Sequence, residues 1–260
     1  GSDPRPNYVL NEIRSATFLT DGSVAVASRM DERISLYSQD GQFLRHFGGE
    51  GGGPGEFRSL REIVSLPDGR ILAWDIQLIR ATFFWPSGEV ERTVRFNLDG
   101  LEQIRPRFVG ATPNGQLIFE DRPSTMARRE DPERERRDTV RFVLFSEDGE
   151  SWSTITSVPS PEFLFFNRGG GWGDEDFLFG RELVAAAVDG DLLIADTDSL
   201  ALSFFSQDGS LESQVSISRT PRPVNEEAVL AERARRIEEA EERWEDLTNT
   251  VVIRDANDVV

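Results

Sequence analysis

Glycines at turn positions recur along this chain at a fixed distance. Asp21-Gly22 is followed by Asp40-Gly41, Asp68-Gly69 by Ser87-Gly88, and Asp189-Gly190 by Asp208-Gly209; within each pair the glycines are 19 residues apart. A fourth pair, Asn114-Gly115 and Asp148-Gly149, is 34 apart, and its extra 15 residues fall in one charged stretch, 122–137. Where nothing is inserted the period is near 46, since first glycines 22, 69 and 115 are separated by 47 and 46 residues. Such a period means one supersecondary unit used repeatedly, each copy too small to bury its apolar face alone.

Each unit contains four short β-prone runs. In the second they are Glu62–Leu66, Arg70–Trp74, Ala81–Trp85 and Val90–Phe96, separated by turn chemistry. Asp-Gly suits a tight hairpin because the turn needs a positive φ, which glycine adopts without steric cost. Four antiparallel strands repeating every 40 to 50 residues are what a β-propeller blade requires. The expectation is an all-β propeller with blades near 11–57, 58–106, 107–166 and 181–217 in one domain, 11–260, after a short N-terminal segment, 1–10. Gly1-Ser2 reads as an expression remnant.

The stretch Phe47-Gly-Gly-Glu-Gly-Gly-Gly-Pro-Gly-Glu-Phe57, then a strand, Asp68-Gly69, a strand ending in Asp75, and Arg80 five residues later resembles the NHL repeat of six-bladed propellers. Arg33 fills the same arginine position in the first unit. The likeness covers roughly Asn11 to Phe96, and it is weaker in the third and fourth units, which lack the glycine-rich crossing. It implies six blades where about four are present, so the tail 250–260 reads as the start of another blade and a shortened chain is expected. It also implies a bacterial envelope protein, placed in the periplasm, on the cell surface or outside the cell.

Strands that alternate in direction put both glycine turns of every blade on one face of a propeller. The middle loops and interblade crossings lie on the other. That second face receives the crossing 47–57, the insertion 122–137, the crossing 167–174 and the segment after Ile217. Elaborated loops on one rim of a rigid scaffold are where binding concentrates. The one convincing helix, 225–247, starts with Asn225 as its cap and Glu226 and Glu227 in its first turn. Its stripe of Leu230, Ile237 and Trp244 needs a partner, either the propeller rim or another chain. A partner chain at an incomplete propeller edge is the other expectation of this kind.

Eight residues before each first glycine stand Arg14, Arg61, Arg107 and Glu182, at the starts of the inner strands. Three guanidinium groups at a channel mouth would clamp an anionic group through forked hydrogen bonds, or each would pair with a neighbouring carboxylate and hold blades together. Six residues after three of the glycines stand Asp75, Asp121 and Asp196, with Ser28 in the first unit. A carboxylate ring invites calcium, but at the end of a second strand such a group more often accepts hydrogen bonds from its own loop. Trp172, between glycines, is a stacking candidate or a plug between blades. The glycine runs lack Gly-Lys-Ser/Thr and enter no helix, so they are turns rather than phosphate cradles.

Composition narrows the function. All 29 basic residues are arginine, and against 47 acidic ones they leave a net charge of −18, which disfavours nucleic acid and anionic membranes. No cysteine and a single histidine, His46, leave no thiolate zinc site, no cysteine nucleophile and little basis for a histidine-dependent triad or lyase. No apolar run is long enough to cross a membrane. The resulting expectation is a binding scaffold without catalytic residues or cofactor, whose elaborated face takes a protein, peptide or glycan. The alternative is a calcium- or carboxylate-dependent hydrolase or lyase of the six-bladed type.

Overall fold

A computed structural model describes residues 12–103, 105–123, 134–136, 138–161, 163–168, 171–177, 179–197, 199–218, 224–239 and 241, without the side chains of 134–136, 163–168 and 171–176. Its strands form four antiparallel, four-stranded blades in chain order. Blade 1 is β1 (Ile13–Phe18), β2 (Val24–Ser28), β3 (Arg33–Tyr37) and β4 (Phe43–Gly48), and blade 2 is β5 (Leu60–Ser65), β6 (Ile71–Asp75), β7 (Arg80–Phe84) and β8 (Val90–Arg95). Blade 3 joins β9 (Arg107–Ala111) and β10 (Leu117–Asp121) to β12 (Thr139–Phe145) and β13 (Trp152–Pro159). Blade 4 is β16 (Leu183–Val188), β17 (Asp191–Asp196), β18 (Ala201–Phe205) and β19 (Leu211–Ser216). The fold is a four-bladed β-propeller with one helix, α1, over 226–239.

The repeated turns form for the reason their residues suggest. Four of the six turn aspartates accept a hydrogen bond from the backbone N–H two residues on: Ser23 to Asp21 at 2.9 Å, Arg70 to Asp68 at 3.1 Å, Glu150 to Asp148 at 3.1 Å and Ser210 to Asp208 at 2.9 Å. The hydrogen bonds hold all four carboxyls below their ordinary pKa, that of Asp208 at about 2.

No blade has a core of its own, because the apolar clusters lie between blades. One joins Ala27, Ile34 and Phe47 of blade 1 to Phe57, Ile71 and Phe84 at blade 2. A second joins Trp74 and Phe83 to Phe119, Val143 and Phe145, and a third joins Ile118, Phe142 and Ile155 to Leu183, Leu192 and Ile194. The second hairpin turn of each following blade is pressed onto its predecessor. A methyl group on Gly149 would collide with the Arg95 carbonyl oxygen, and one on Gly209 with that of Ile155. Gly41, the same turn in blade 1, has no atom within 4 Å of the place its Cβ would take.

The insertion and the 167–174 crossing do not stay as separate loops. β11 (Arg134–Arg136), β14 (Phe163–Arg168) and β15 (Gly171–Asp176) pair into an additional three-stranded sheet on the elaborated side. Asn225 caps α1 as its sequence suggests, accepting from the Ala228 N–H at 2.9 Å. Residues 240 and 242–260, with Trp244 and the tail, lie outside the described residues. Leu230 and Ile237 are 58% and 60% exposed, so the expected seating of this stripe on the rim is not what the fold shows. No described helix is long and apolar enough to cross a membrane.

Candidate functional site

The aligned arginines occupy unequal places in the ladder. Arg14 and Arg61 are extra residues of β-bulges, between Ile13 and Ser15 in β1 and between Leu60 and Glu62 in β5. In β9 the bulge falls at Val109, so Arg107 stands opposite Glu120, in register with Ser15 opposite Ala27 and Glu62 opposite Trp74. Equal spacing from a glycine therefore does not give equal position once bulges move. Glu182 precedes β16, exposed, and its N–H donates to Thr197 Oγ1 at 2.8 Å. Trp172 lies on β15 opposite Asn167, with its side chain outside the described residues.

Their environments differ as well. Arg14 is half-buried, with Nε enclosed and unpartnered among the described residues. Its positive charge acts on Glu32, whose pKa is raised because burial outweighs the hydrogen bond from the Leu60 N–H and the pull of Arg14. Arg61 is exposed and has no ion-pair partner among the described residues. Arg107 donates through Nε to Glu120 Oε2 at 2.6 Å and again through Nη2, while Arg122 takes the other oxygen of the same fully buried carboxylate. Glu120 thus locks two guanidinium groups at the start of β9 and the end of β10.

Two of the three aspartates that suggested calcium, Asp75 and Asp121, are clasps. Asp75 Oδ2 accepts from the N–H groups of Arg58 and Ser59, and Oδ1 from those of Gln77 and Leu78. Asp121 binds the N–H groups of Glu102 and Gln103 through one oxygen and Arg141 through the other. Donors thus occupy the oxygens a cation would need, and no group of three or more His, Asp or Glu that could hold a metal ion occurs among the described residues. Asp196 ends β17 in blade 4, opposite Leu183.

Arg80, buried against the glycine-rich crossing, donates to the carbonyls of Gly52, Gly53 and Glu56. Desolvation pushes its pKa down, yet it stays charged. The crossing closes on itself as a turn, with Phe57 N–H donating to Gly49 at 2.8 Å and Gly51 N–H to Phe57 at 2.9 Å. His46 is exposed on β4, its ring 6.0 Å from that of Phe43.

Sequence reasoning missed the cleft on the elaborated side, about 320 Å³ in volume. Arg122 reaches it from the end of β10, Arg181 and Glu182 from the approach to β16, and Arg236 from α1; Phe177 and Phe179 line it between them. Arg122 is steadied by Glu120, and Arg236 by Glu232, 3.1 Å from its Nε. The Nη atoms take no part in these two pairs. Arg235 and Arg236 hold Glu232 at a pKa of about 2, so it stays ionised beside them. Arg122, Arg181, Arg236 and Glu182 are the charged groups lining the cleft, with Glu120 and Glu232 pairing two of the arginines from outside the lining. Of these residues only Glu182 holds a repeat position; Arg122, Arg181 and Arg236 hold none, and their only signal was that each flanks an irregular segment. The arginine of the third unit, Arg141, was hidden by the insertion, which moves it from 5 to 20 residues after Asp121 although the two still pair across the ladder.

No protein-family model matches the chain, and no curated protein matches it. Among solved structures it is similar to virginiamycin B lyase from Staphylococcus aureus, at 11% identity and a TM-score of 0.39, over 80% of this chain and 71% of that one. A protein of unknown function from Bacteroides caccae gives 15% and 0.44 over 79% and 61%, and a nidogen/laminin complex 14% and 0.38 over 79% and 80%. At these values none of the three carries an argument about activity.

Proposed function

We propose that this protein is a non-catalytic binding propeller of the NHL-like kind, whose elaborated face takes a carboxylate-bearing segment of a protein, peptide or glycan. The observation that carries the reading is the cleft of Arg122, Arg181 and Arg236, three guanidinium groups gathered in about 320 Å³ on an acidic molecule. Arg122 and Arg236 are held by Glu120 and Glu232, so little ordering remains to be done when an anion arrives. Phe179, 51% exposed at the same place, supplies an apolar wall for the carbon skeleton beside the carboxylate. The resemblance to envelope propellers supports an exported location.

Calorimetric titration with hexaglutamate and with an oligogalacturonate tests this. Either should bind in a salt-sensitive manner, and Arg181→Ala and Arg236→Ala should each weaken binding about tenfold, the size of one lost charged hydrogen bond. Affinities that do not change in these variants, or no heat with either probe at millimolar concentration, would refute the assignment.

A further inference from the structure

We infer that the ligand of the arginine cleft is a mixed-charge peptide segment, in which a cation stands beside the carboxylate, and that Glu182 is the residue selecting it. This rests on the carboxylate reading of the same cleft. Comparison between blades shows what sets Glu182 apart. In blades 1, 2 and 4 the residue just before the first strand accepts a backbone hydrogen bond from the residue just after the second: Arg29 N–H to Glu12 at 3.1 Å, Ile76 N–H to Ser59 at 3.2 Å and Thr197 N–H to Glu182 at 3.1 Å. Glu12 and Glu182 therefore hold the same place in the fold. In blade 1 the residue after the second strand is Arg29, whose Nη1 reaches the Glu12 carboxylate at 3.0 Å. In blade 4 it is Thr197, which carries no charge and takes the Glu182 N–H on its hydroxyl. The Glu182 carboxylate, exposed at the cleft, has no ion-pair partner among the described residues.

Its surroundings decide what it can select. Arg122 and Arg236 are already neutralised through Nε by Glu120 and Glu232, so they offer Nη donors to a carboxylate while projecting a weakened field into the cleft. A round volume of about 320 Å³ is about 8.5 Å across, near one Debye length at physiological salt, which brings every charge on a ligand within range of Glu182. A second carboxylate is repelled there. A cation in contact with Glu182 gains more than it loses to neutralised arginines further off, because the interaction falls with distance. Residues i and i+2 of an extended peptide share one side about 7 Å apart, so a Glu-x-Lys segment presents both charges within the span of the cleft. Phe177 and Phe179, lining the same cleft, suit the methylene stem that carries such a cation.

Capped peptides Gly-Glu-Ala-Lys-Gly, Gly-Glu-Ala-Gln-Gly and Gly-Glu-Ala-Glu-Gly, titrated calorimetrically, test this. The lysine peptide should bind about tenfold tighter than the glutamine peptide, and the second glutamate should make the third weaker than both. Glu182→Gln should bring the lysine and glutamine peptides within about twofold of each other and strengthen the third, whereas Glu12→Gln, at the paired counterpart, should leave the ranking intact. Both glutamates are exposed, and an unchanged circular dichroism spectrum verifies that the variants fold. A lysine preference that survives Glu182→Gln, or that Glu12→Gln removes equally, overturns the inference. So does a wild type that binds the double-glutamate peptide most tightly; if Arg181→Ala weakens that binding, the carboxylate reading still stands. No heat from any of the peptides at millimolar concentration overturns both.

Discussion

Removing the buried Asp75 carboxylate should cost more than truncating any exposed side chain of blade 2. Its side chain is fully buried and accepts four backbone N–H groups, at 2.7, 3.3, 2.9 and 2.8 Å. Two come from the crossing that enters the blade and two from its middle loop, so one residue closes both. In Asp75→Ala all four donors lose their acceptor. Each unsatisfied buried donor costs about 1–3 kcal/mol, and solvent reaching the two loops recovers part of that, which leaves a loss of about 3–5 kcal/mol. In Asp75→Asn the amide oxygen keeps two acceptor positions while the amide nitrogen faces two donors, so about half the loss is expected. Urea unfolding followed by tryptophan fluorescence measures both, and the corresponding fall in Tm is roughly 2–4 °C per kcal/mol for a chain of this size. A loss under about 1 kcal/mol for Asp75→Ala would refute the clasp. So would a rise in the wild-type midpoint on adding calcium that Asp75→Ala abolishes, since the oxygens would then be serving a cation.

Other consequences can be measured on the same transition. Gly41 and Gly149 share a φ of 75°, but only Gly149 abuts a neighbouring blade, so Gly41→Ala should cost about 1 kcal/mol and Gly149→Ala about 3; equal costs would mean the junction contact does not matter. Arg107→Ala takes away one of two partners of a buried glutamate and should cost about 2 kcal/mol, whereas Arg61→Ala should stay within about 0.5; similar losses would argue against the Glu120 lock. The carboxyls of Asp21, Asp68, Asp148 and Asp208 sit below their ordinary pKa, so the unfolded chain binds protons first. Their stabilisation is complete above about pH 4 and is lost as pH falls toward 2, and a urea midpoint that stays flat over that window would contradict the turn geometry.

What could be read from the sequence depended on whether a residue's role was local. Turn glycines announce themselves because their φ is a property of one residue, and the blades followed from their spacing. The Asn225 cap is equally local, reaching only three residues ahead. The arginine comparison went astray at a bulge, since an extra residue at Arg14, Arg61 or Val109 changes the ladder without changing the count. The sheet of β11, β14 and β15 depends on pairing across some 30 residues, for which Arg134–Arg136 gives no signal. The cleft is a product of tertiary placement: Arg122, Arg181 and Arg236 lie far apart in the chain and converge only because blades 3 and 4 and α1 meet there.

Placing every apolar cluster between blades also sets the order in which the molecule comes apart. Blades 2 and 3 are each gripped on two sides, whereas blade 4 shares its only described cluster with blade 3. A linear stack of this kind frays from its ends as a zipper does, so amide protons of β17 and β18 should exchange with deuterium long before those of β6 and β7. The cleft, with one wall in blade 4, would then open and close with the fraying end, and a ligand seated there would act as the clasp that stops the zipper.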